Sequence, residues 1–287
     1  MTATTPKFSV VVPACARPQQ LAHCLARLAP GAQTYPAENY EVIVTDDSPD
    51  MSVRDLVKNN FPWAQWTAGP RRGPAANRNH GTAQARGEWL AFTDDDCLPE
   101  PGWLAAFAEA MDNADAVEGR TYADRPRQSL AERAPVNTHG GFWWSCNFAV
   151  RAELFRRLGG FNEGFPFAAM EDVDFAQRMR AGGAREKFAA AAAVCHPWRE
   201  VGGFRAMWKM EKKHLASVVY YLQLHPEARR EHTPWAYLKN DARQLLRDTL
   251  PGLWRWRGRG AGAALAWHTH TLLNAWVMAK PTSAQAP

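Results

Sequence analysis

The sequence predicts an α/β protein with a mostly parallel sheet, followed by a helical C-terminal region. Short apolar runs alternate with segments of helical periodicity, the connections between them are short, and two runs end in carboxylates. Alternating strands and helices of this kind imply right-handed crossovers and parallel strands. Open sheets place their ligands at the carboxyl ends of the strands. We therefore expect function at the two acidic clusters, residues 46–47 and 94–96.

Each element follows from a local pattern. Residues 8–12 are a continuous apolar run that Pro13 ends, which is typical of a strand covered on both faces. Residues 17–28 carry leucines at the spacing of a helix with one core face. The further predicted elements are, in chain order, strand 41–45, helix 53–61, strand 62–67, helix 75–86, strand 90–92, helix 101–111, strand 116–122, strand 145–150, helix 151–158 and helix 170–181. Residues 125–138 are predicted to form a mobile loop, and residues 187–195 fit either a helix or a strand.

Composition indicates an ordinary globular protein. The chain has 287 residues, of which 46% are hydrophobic and 22% charged, so it can bury a large core. The five cysteines are scattered and form no CxxC pair, which argues against a disulfide framework and a thiolate zinc site. With no secretory signal in the first residues, we expect a cytoplasmic protein. We place its domain boundary between residues 198 and 199.

Three adjacent carboxylates, Asp94, Asp95 and Asp96, follow the apolar run at residues 90–92. Like charges at this spacing repel one another unless a cation or hydrogen-bond donors neutralise them. A divalent metal ion is therefore the expected partner of the cluster. The alternative is a solvated acidic turn that only ends a strand.

A second pair of carboxylates, Glu171 and Asp172, lies in the first turn predicted for helix 170–181. The helix macrodipole favours anions at this end, so an ordinary acidic first turn is one interpretation. The other interpretation is that the start of this helix carries function.

The ordered motifs of the chain resemble those of family 2 glycosyltransferases with the GT-A fold. The matching segments are VVVPACARP, VIVTDDSP, GPAANRNHG, WLAFTDDDC, NFAVRAELFRRLGGFNEGF, MEDVDFAQRMRAGG and a later histidine, His196. They cover roughly residues 7–198. One departure is that Cys15 and Ala16 stand where the family often has Tyr-Asn, which affects the details of the base pocket.

The resemblance implies a metal-dependent, inverting transfer of a sugar from a nucleotide-diphosphate sugar, with a UDP-sugar favoured, to an acceptor hydroxyl. In this interpretation Asp172 is the general base and Glu171 supports it. The metal, Mg²⁺ or Mn²⁺, is held by Asp96, with Asp94 and His196. The implied contacts to the nucleotide sugar are Pro13, Arg17, Asp46, Asp47, Arg78, Asp94 and Asp95. For Asp46 and Asp47 the alternative is a turn cap, and for His196 a structural role.

Trp143 and Trp144 are candidates for stacking on an acceptor sugar, although aromatic pairs before a strand are as often part of the core. The acceptor implied is a glycan or a lipid-linked sugar, as in cell-surface polysaccharide or glycolipid biosynthesis. The oligomeric state is left open.

The C-terminal third is basic and rich in tryptophan. Beyond His196 the chain carries 14 Lys and Arg against 6 Asp and Glu, and 7 of the 13 Trp residues. Such helices are typical of peripheral contact with an anionic membrane, here the inner face of the plasma membrane. The alternative is a helical subdomain or dimer contact. Nucleic-acid binding is not expected, because the charge is spread out and no nucleic-acid module is present.

Two rival functions follow from the same fold. A nucleotidyltransferase that makes an activated sugar would ordinarily carry a basic, glycine-rich loop after its first strand, and VVVPACARP has no glycine there. A non-catalytic module that only binds nucleotide sugars would not need both the DDD and the ED motifs.

Overall fold

The computed structural model describes residues 5–279, which fold as two compact units. The first contains the described residues up to Asp124, together with Ala134–Gly164 and Glu171–Pro197. The second contains Arg125–Arg133, Phe165–Met170 and the described residues from Trp198 onward. The two short segments of the second unit lie inside the range predicted for the first domain, residues 1–198.

The first unit is built on an eight-stranded sheet. The strands of the chain are β1 (Phe8–Ala14), β2 (Tyr40–Asp46), β3 (Gln65–Ala68), β4 (Trp89–Phe92), β5 (Leu98–Pro99), β6 (Ala116–Tyr122), β7 (Glu132–Arg133), β8 (Phe148–Arg151), β9 (Glu186–Cys195) and β10 (Arg199–Glu200). The sheet order is β3-β2-β1-β4-β8-β6-β9-β5. Strands β3, β2, β1 and β4 pair with one another in parallel, and so do β6 and β9. Strand β8 is antiparallel to β4 and β6, and β5 is antiparallel to β9. The predicted mostly parallel sheet is confirmed.

Helices cover the sheet as the alternating pattern predicts. Those of the first unit are α1 (Pro18–Leu28), α2 (Ser52–Asn60), α3 (Pro74–Ala83), α4 (Trp103–Ala110), α5 (Ala152–Arg157) and α6 (Glu171–Ala181). On α1 the buried residues include Leu21, Leu25 and Leu28, the face that the spacing predicts. Residues 187–195, which fit helix or strand by composition, lie in β9 because they pair with β6 on one side.

Strand β1 continues past the point where Pro13 was expected to end it. Its pairing with β4 stops at Val11, and the Val11 carbonyl accepts a hydrogen bond from Thr93 N on that side. Residues two apart in a strand direct their backbone groups to the same side. An N–H at position 13 would therefore point beyond the end of β4, where there is no strand residue to pair with. Proline lacks this N–H, so its presence here costs the sheet no hydrogen bond.

The register brings the two acidic clusters to one edge. Strand β1 lies between β2 and β4, with Ala14 opposite Asp46 and Val11 opposite Phe92. Helix α6 reaches the same region because Phe175 packs within 5.3 Å of Phe155 and Phe161, measured between ring centroids. This aromatic cluster fixes the start of α6, and with it Glu171, relative to the sheet.

The second unit is helical, with α7 (Gly203–Leu224), α8 (Pro234–Gln244), α9 (Leu250–Arg255) and α10 (Ala261–Ala279), and a π-helical turn joins α8 to α9. Helix α8 packs on α10 through polar groups: His268 is 2.7 Å from Asp241 and 2.9 Å from Thr249. Within residues 5–279 we find no helix that is both long and apolar enough to span a membrane.

Candidate active site

The turn that follows β4 distributes its three carboxylates between two arginines. Arg78 Nη2 lies 2.6 Å from Asp94 Oδ1. Arg17 lies 2.5 Å from Asp95 and 2.7 Å from Asp96. Each arginine offsets charge repulsion within the triplet, so the acidic cluster is a paired network rather than a solvated turn.

Asp95 is the innermost of the three, with no exposed surface. Burial raises its pKa to about 7; Arg17 offsets only part of that effect, and Asp96 and Asp94 add to it. Its carboxylate also accepts a hydrogen bond from Cys15 N at 3.4 Å. Asp95 therefore holds the turn between β1 and α1. The carboxylate has no exposed surface in this conformation, and its predicted contact with the donor stays a prediction.

Arg78 is also buried, with 5% of its side chain exposed, and its Nη1 lies 3.3 Å from Glu171 Oε1. Pro74 starts α3, and Arg78, one turn later, is among the buried residues of this helix. Burial alone would raise the pKa of Asp94, but Arg78 holds it below its usual range. We expected Arg78 to meet the nucleotide. In the structure its fork joins the acidic triplet to the start of α6, and the nucleotide contact stays a prediction.

At the start of α6, Asp172 is held by two backbone groups. Its Oδ2 accepts from Ser145 N at 3.2 Å and its Oδ1 from Val173 N at 2.8 Å. Burial raises the pKa of Asp172, against the effect of these hydrogen bonds. Burial and the neighbouring charge of Asp172 likewise raise the pKa of Glu171, to about 7. A buried carboxylate pair whose pKa values are raised is a candidate for proton exchange with a substrate.

His196 lies beside Asp96, the third carboxylate of the triplet. Its Nε2 is 3.6 Å from Asp96 Oδ1, and its Nδ1 is 3.0 Å from the carbonyl oxygen of Pro197. Because a carbonyl oxygen only accepts, this contact fits the tautomer with a hydrogen on Nδ1, in which Nε2 faces Asp96 with its lone pair. A lone pair beside a carboxylate is the arrangement that a metal ion stabilises.

The ligand atoms of Asp96, Cys97 and His196 all lie within 4.8 Å of one another. Burial and a hydrogen bond with Cys146 raise the pKa of Cys97 well above its usual value, which disfavours its thiolate form in the metal-free protein. The carboxylate and the imidazole are then the usable donors, and the set fits Mg²⁺ or Mn²⁺ better than a thiolate metal. Sequence reasoning missed the proximity of Cys97 because it had no second cysteine at metal-binding spacing.

The two carboxylates of the second acidic cluster, Asp46 and Asp47, lie in different environments. Asp46 is buried and accepts from Ser48 N at 2.8 Å and from Trp66 Nε1 at 3.1 Å, so it caps the turn. Asp47 is half-buried and accepts from Arg71 N at 2.7 Å. A Cβ on Gly69 would lie 2.3 Å from the Asp47 carboxylate, so this loop needs glycine there. Pro13 lies beside Thr45 at the same edge.

The sequence model of glycosyl transferase family 2 matches residues 9–174, more than half of the chain. The chain belongs to this family. Glycosyltransferase AglE of Haloferax volcanii is 29% identical over 217 residues, which cover 70% of each chain. The protein is thus a glycosyltransferase, and the nucleotidyltransferase alternative is set aside.

Solved structures support the same fold. The mannosyltransferase PcManGT from Pyrobaculum calidifontis, in complex with GDP-Man and Mn²⁺, aligns with a TM-score of 0.61 at 23% identity, over 96% of this chain and 87% of that one. S. aureus TarS 1-349 in complex with UDP-GlcNAc aligns with a TM-score of 0.54 at 21% identity, over 72% of this chain and 66% of that one. The predicted GT-A fold is confirmed.

The two tryptophans proposed as acceptor contacts differ in burial in this glycosyltransferase. Trp143 is 2% exposed and packs edge-on against Phe148, which corresponds to the core alternative. Trp144 is partly exposed and lies 4.6 Å from the ring of Phe142, itself 47% exposed. Phe142 and Trp144 therefore form the accessible aromatic pair, and Phe142 was not predicted.

A buried carboxylate shapes the loop that carries this pair. Glu118, in β6, accepts hydrogen bonds from the backbone N–H groups of Gly141, Phe142 and Trp143 at 2.5–3.0 Å. The loop leads directly to Ser145, whose N–H contacts Asp172. The signal for Glu118 was present in the sequence as an acidic residue inside an otherwise buried strand, but its partners lie more than 20 residues away.

Proposed function

We propose that this glycosyltransferase catalyses a metal-dependent, inverting transfer of a sugar from a nucleotide-diphosphate sugar to an acceptor hydroxyl, in the synthesis of a cell-surface glycan or glycolipid. The observation that carries the proposal is the placement of a candidate base, Asp172, and a candidate metal pair, Asp96 and His196, at one edge of the sheet. Arg78 connects the two groups through Asp94 and Glu171.

The reaction needs a base on the acceptor side. The acceptor oxygen forms a bond to the anomeric carbon as the bond to the diphosphate oxygen breaks, and the hydroxyl proton passes to Asp172. Attack from the side opposite the leaving group inverts the anomeric centre. The hydrogen bonds from Ser145 N and Val173 N fix the Asp172 carboxylate, which keeps it oriented for that proton.

The leaving side needs positive charge, because the diphosphate gains negative charge as it departs. A divalent cation bound at this site supplies that charge. Asp96 and His196 are the residues that would hold it. Arg17, with 37% of its side chain exposed, is an accessible cation beside the triplet and would contact the diphosphate.

We propose Asp47 as the contact to the base. A carboxylate accepts well from the N3 donor of uracil, which favours a UDP-sugar, and its position beside the Arg71–Gly73 loop leaves it half-exposed. The structural neighbours were solved with UDP-GlcNAc and with GDP-Man, so a GDP-sugar is the specific rival. Guanine also offers N–H donors to a carboxylate.

A binding screen followed by product detection tests the proposal. Thermal unfolding is measured with UDP- and GDP-sugars, with and without Mn²⁺, because a ligand that binds the native state raises its stability. The stabilising donor is then incubated with glycan and lipid-linked acceptors. Stabilisation by a nucleotide sugar that needs Mn²⁺, with transfer to one acceptor class, supports the proposal. Stabilisation without Mn²⁺, or a product that retains the donor's anomeric configuration, contradicts it.

A further inference from the structure

The segment from α8 to α9 turns its apolar side chains outward. Trp235 is 72% exposed, Leu246 66% and Trp254 89%, and α8 has no buried residue. The outer stripe, as we call it, follows helical spacing along this segment and consists of Trp235, Leu238, Ala242, Leu246, Leu250 and Trp254.

A basic row accompanies the outer stripe. Lys239, Arg243 and Arg247 recur every fourth residue, all are exposed, and they line one open groove of about 600 Å³ together with the apolar side chains of α8. Among the described residues, none of the three forms an ion pair. The groove therefore combines apolar surface with unneutralised positive charge.

The outer stripe is unusual for a surface helix, as the contacts on the opposite side of α8 make clear. A surface helix normally packs its apolar side and exposes its polar side. Here α8 instead meets α10 through a polar contact, between Asp241 and His268 at 2.7 Å. The arrangement leaves the apolar side for a partner outside this helical unit.

We propose that the outer stripe and the basic row are a docking surface for an anionic lipid bilayer. Tryptophan and leucine insert at the boundary between headgroups and acyl chains, and lysine and arginine pair with the lipid phosphates. The surface lies outside the proposed transfer chemistry, and it would bring the enzyme to a membrane that presents a lipid-linked acceptor.

A second copy of the chain fits this surface less well. A two-fold contact would place the same patch on both sides, so two basic rows would face each other. The segment from Pro234 to Arg255 has only two carboxylates, Asp241 and Asp248, and Asp241 already contacts His268. The charge of this surface therefore favours a negatively charged partner.

Vesicle co-sedimentation of the full chain tests the proposal. We expect binding to phosphatidylcholine vesicles that contain phosphatidylglycerol, little binding to phosphatidylcholine alone, and release at high salt. Replacing Lys239, Arg243 and Arg247 by glutamine should lower the affinity on the order of a hundredfold, at roughly fivefold for each charge. Trp254→Ser with Leu246→Ser should also abolish binding, and brominated lipids should quench the wild-type tryptophan fluorescence.

The control removes the same charge from the other unit, at Lys58, Arg54 and Arg157, and should bind vesicles like the wild type. Thermal unfolding of every variant confirms that it is folded. Failure of the wild type to bind anionic vesicles overturns the proposal, as does equal loss in the control. Concentration-dependent dimers that Leu246→Ser dissociates, measured by sedimentation velocity, would assign the surface to a second copy instead. None of these outcomes depends on sugar transfer, so they are separable from failure of the proposed reaction.

Discussion

Arg17 and Asp96 form an ion pair with 2.7 Å between Nη1 and Oδ2, on the carboxylate that we propose as a metal ligand. The guanidinium holds Oδ2 while His196 faces Oδ1, so Arg17 and a divalent cation would share the negative charge of one carboxylate. Arg17, which lies in the turn between β1 and α1, would therefore compete with a bound cation for Asp96.

Removing Arg17 should strengthen binding of Mn²⁺ alone. Two unit charges 4 Å apart interact by about 1–4 kcal/mol near a protein surface, so Arg17→Gln should raise the affinity for free Mn²⁺ by about tenfold. The same variant should weaken nucleotide binding, because the diphosphate loses a cation. Titration calorimetry separates the two effects, and Arg27→Gln on the exposed side of α1 is the matched control. Unchanged or weaker Mn²⁺ binding would sink the idea.

Arg78 should matter for stability. Its buried guanidinium pairs with Asp94 and Glu171, and removing one partner of a buried ion pair typically costs 3–5 kcal/mol. We expect Arg78→Gln to lower the free energy of unfolding by about 3 kcal/mol in urea denaturation. Arg72→Gln, whose exposed partner is Glu163, should cost less than about 1 kcal/mol. Similar losses in both variants would contradict the network.

The sheet and its acidic edge could be predicted because they depend on local patterns. A continuous apolar run such as residues 8–12 predicts a strand, and carboxylates directly after β2 and β4 must share an edge once β1 lies between those strands. Chain order and short connections carry this information, so contacts far apart in sequence are not needed for it.

Other features depend on pairs that no local pattern encodes. Arg78 meets Glu171 across 93 positions in sequence, so its role as a connector could not be read from the helix that carries it. Trp143 enters the core with a backbone φ of 57°, a left-handed conformation that no pattern in the sequence signals at a tryptophan. The segments at Arg125–Arg133 and Phe165–Met170 have no periodicity, so their place in the second unit could not be predicted.

Asp172→Asn should abolish transfer and leave donor binding nearly intact. Asparagine keeps the size of the side chain but cannot accept the acceptor proton, and loss of a general base typically lowers the rate by about 10²–10⁴. Turnover is followed by product formation, and donor affinity by calorimetry with Mn²⁺. If the donor affinity falls as much as the rate, Asp172 serves binding and its assignment as base is wrong.

Stability should fall as pH rises through the range in which Glu171 ionises. The pKa of this carboxyl is raised from 4.5 to about 7 in the folded protein, so its contribution is fully present below pH 4.5 and is lost by about pH 7. The expected loss is roughly 1–3 kcal/mol. Urea denaturation at several pH values, with a chelator present, should show a smaller decrease for Glu171→Gln. The exposed Glu153→Gln is the control, and identical pH profiles for all three proteins would refute the raised pKa.

Glu118 should act as a positioning residue for the acceptor. Its carboxylate accepts three consecutive backbone N–H groups and the Asn137 side chain, the last at 2.7 Å. A glutamine at this position would turn its N–H₂ group toward one of these N–H donors. We expect this loss of a hydrogen bond to lower the free energy of unfolding by about 1–3 kcal/mol. It should also loosen the loop that carries Phe142 and Trp144.

Glu118→Gln should therefore raise KM for the acceptor by about tenfold while the donor affinity stays within about twofold, since a contact worth 1.4 kcal/mol is a factor of ten. Initial-rate kinetics with each substrate varied in turn measure the two effects separately. Glu109→Gln, exposed on α4, is the control. A parallel loss of donor affinity would show that Glu118 supports the sheet as a whole, because the acceptor loop alone would not transmit a defect to the nucleotide side.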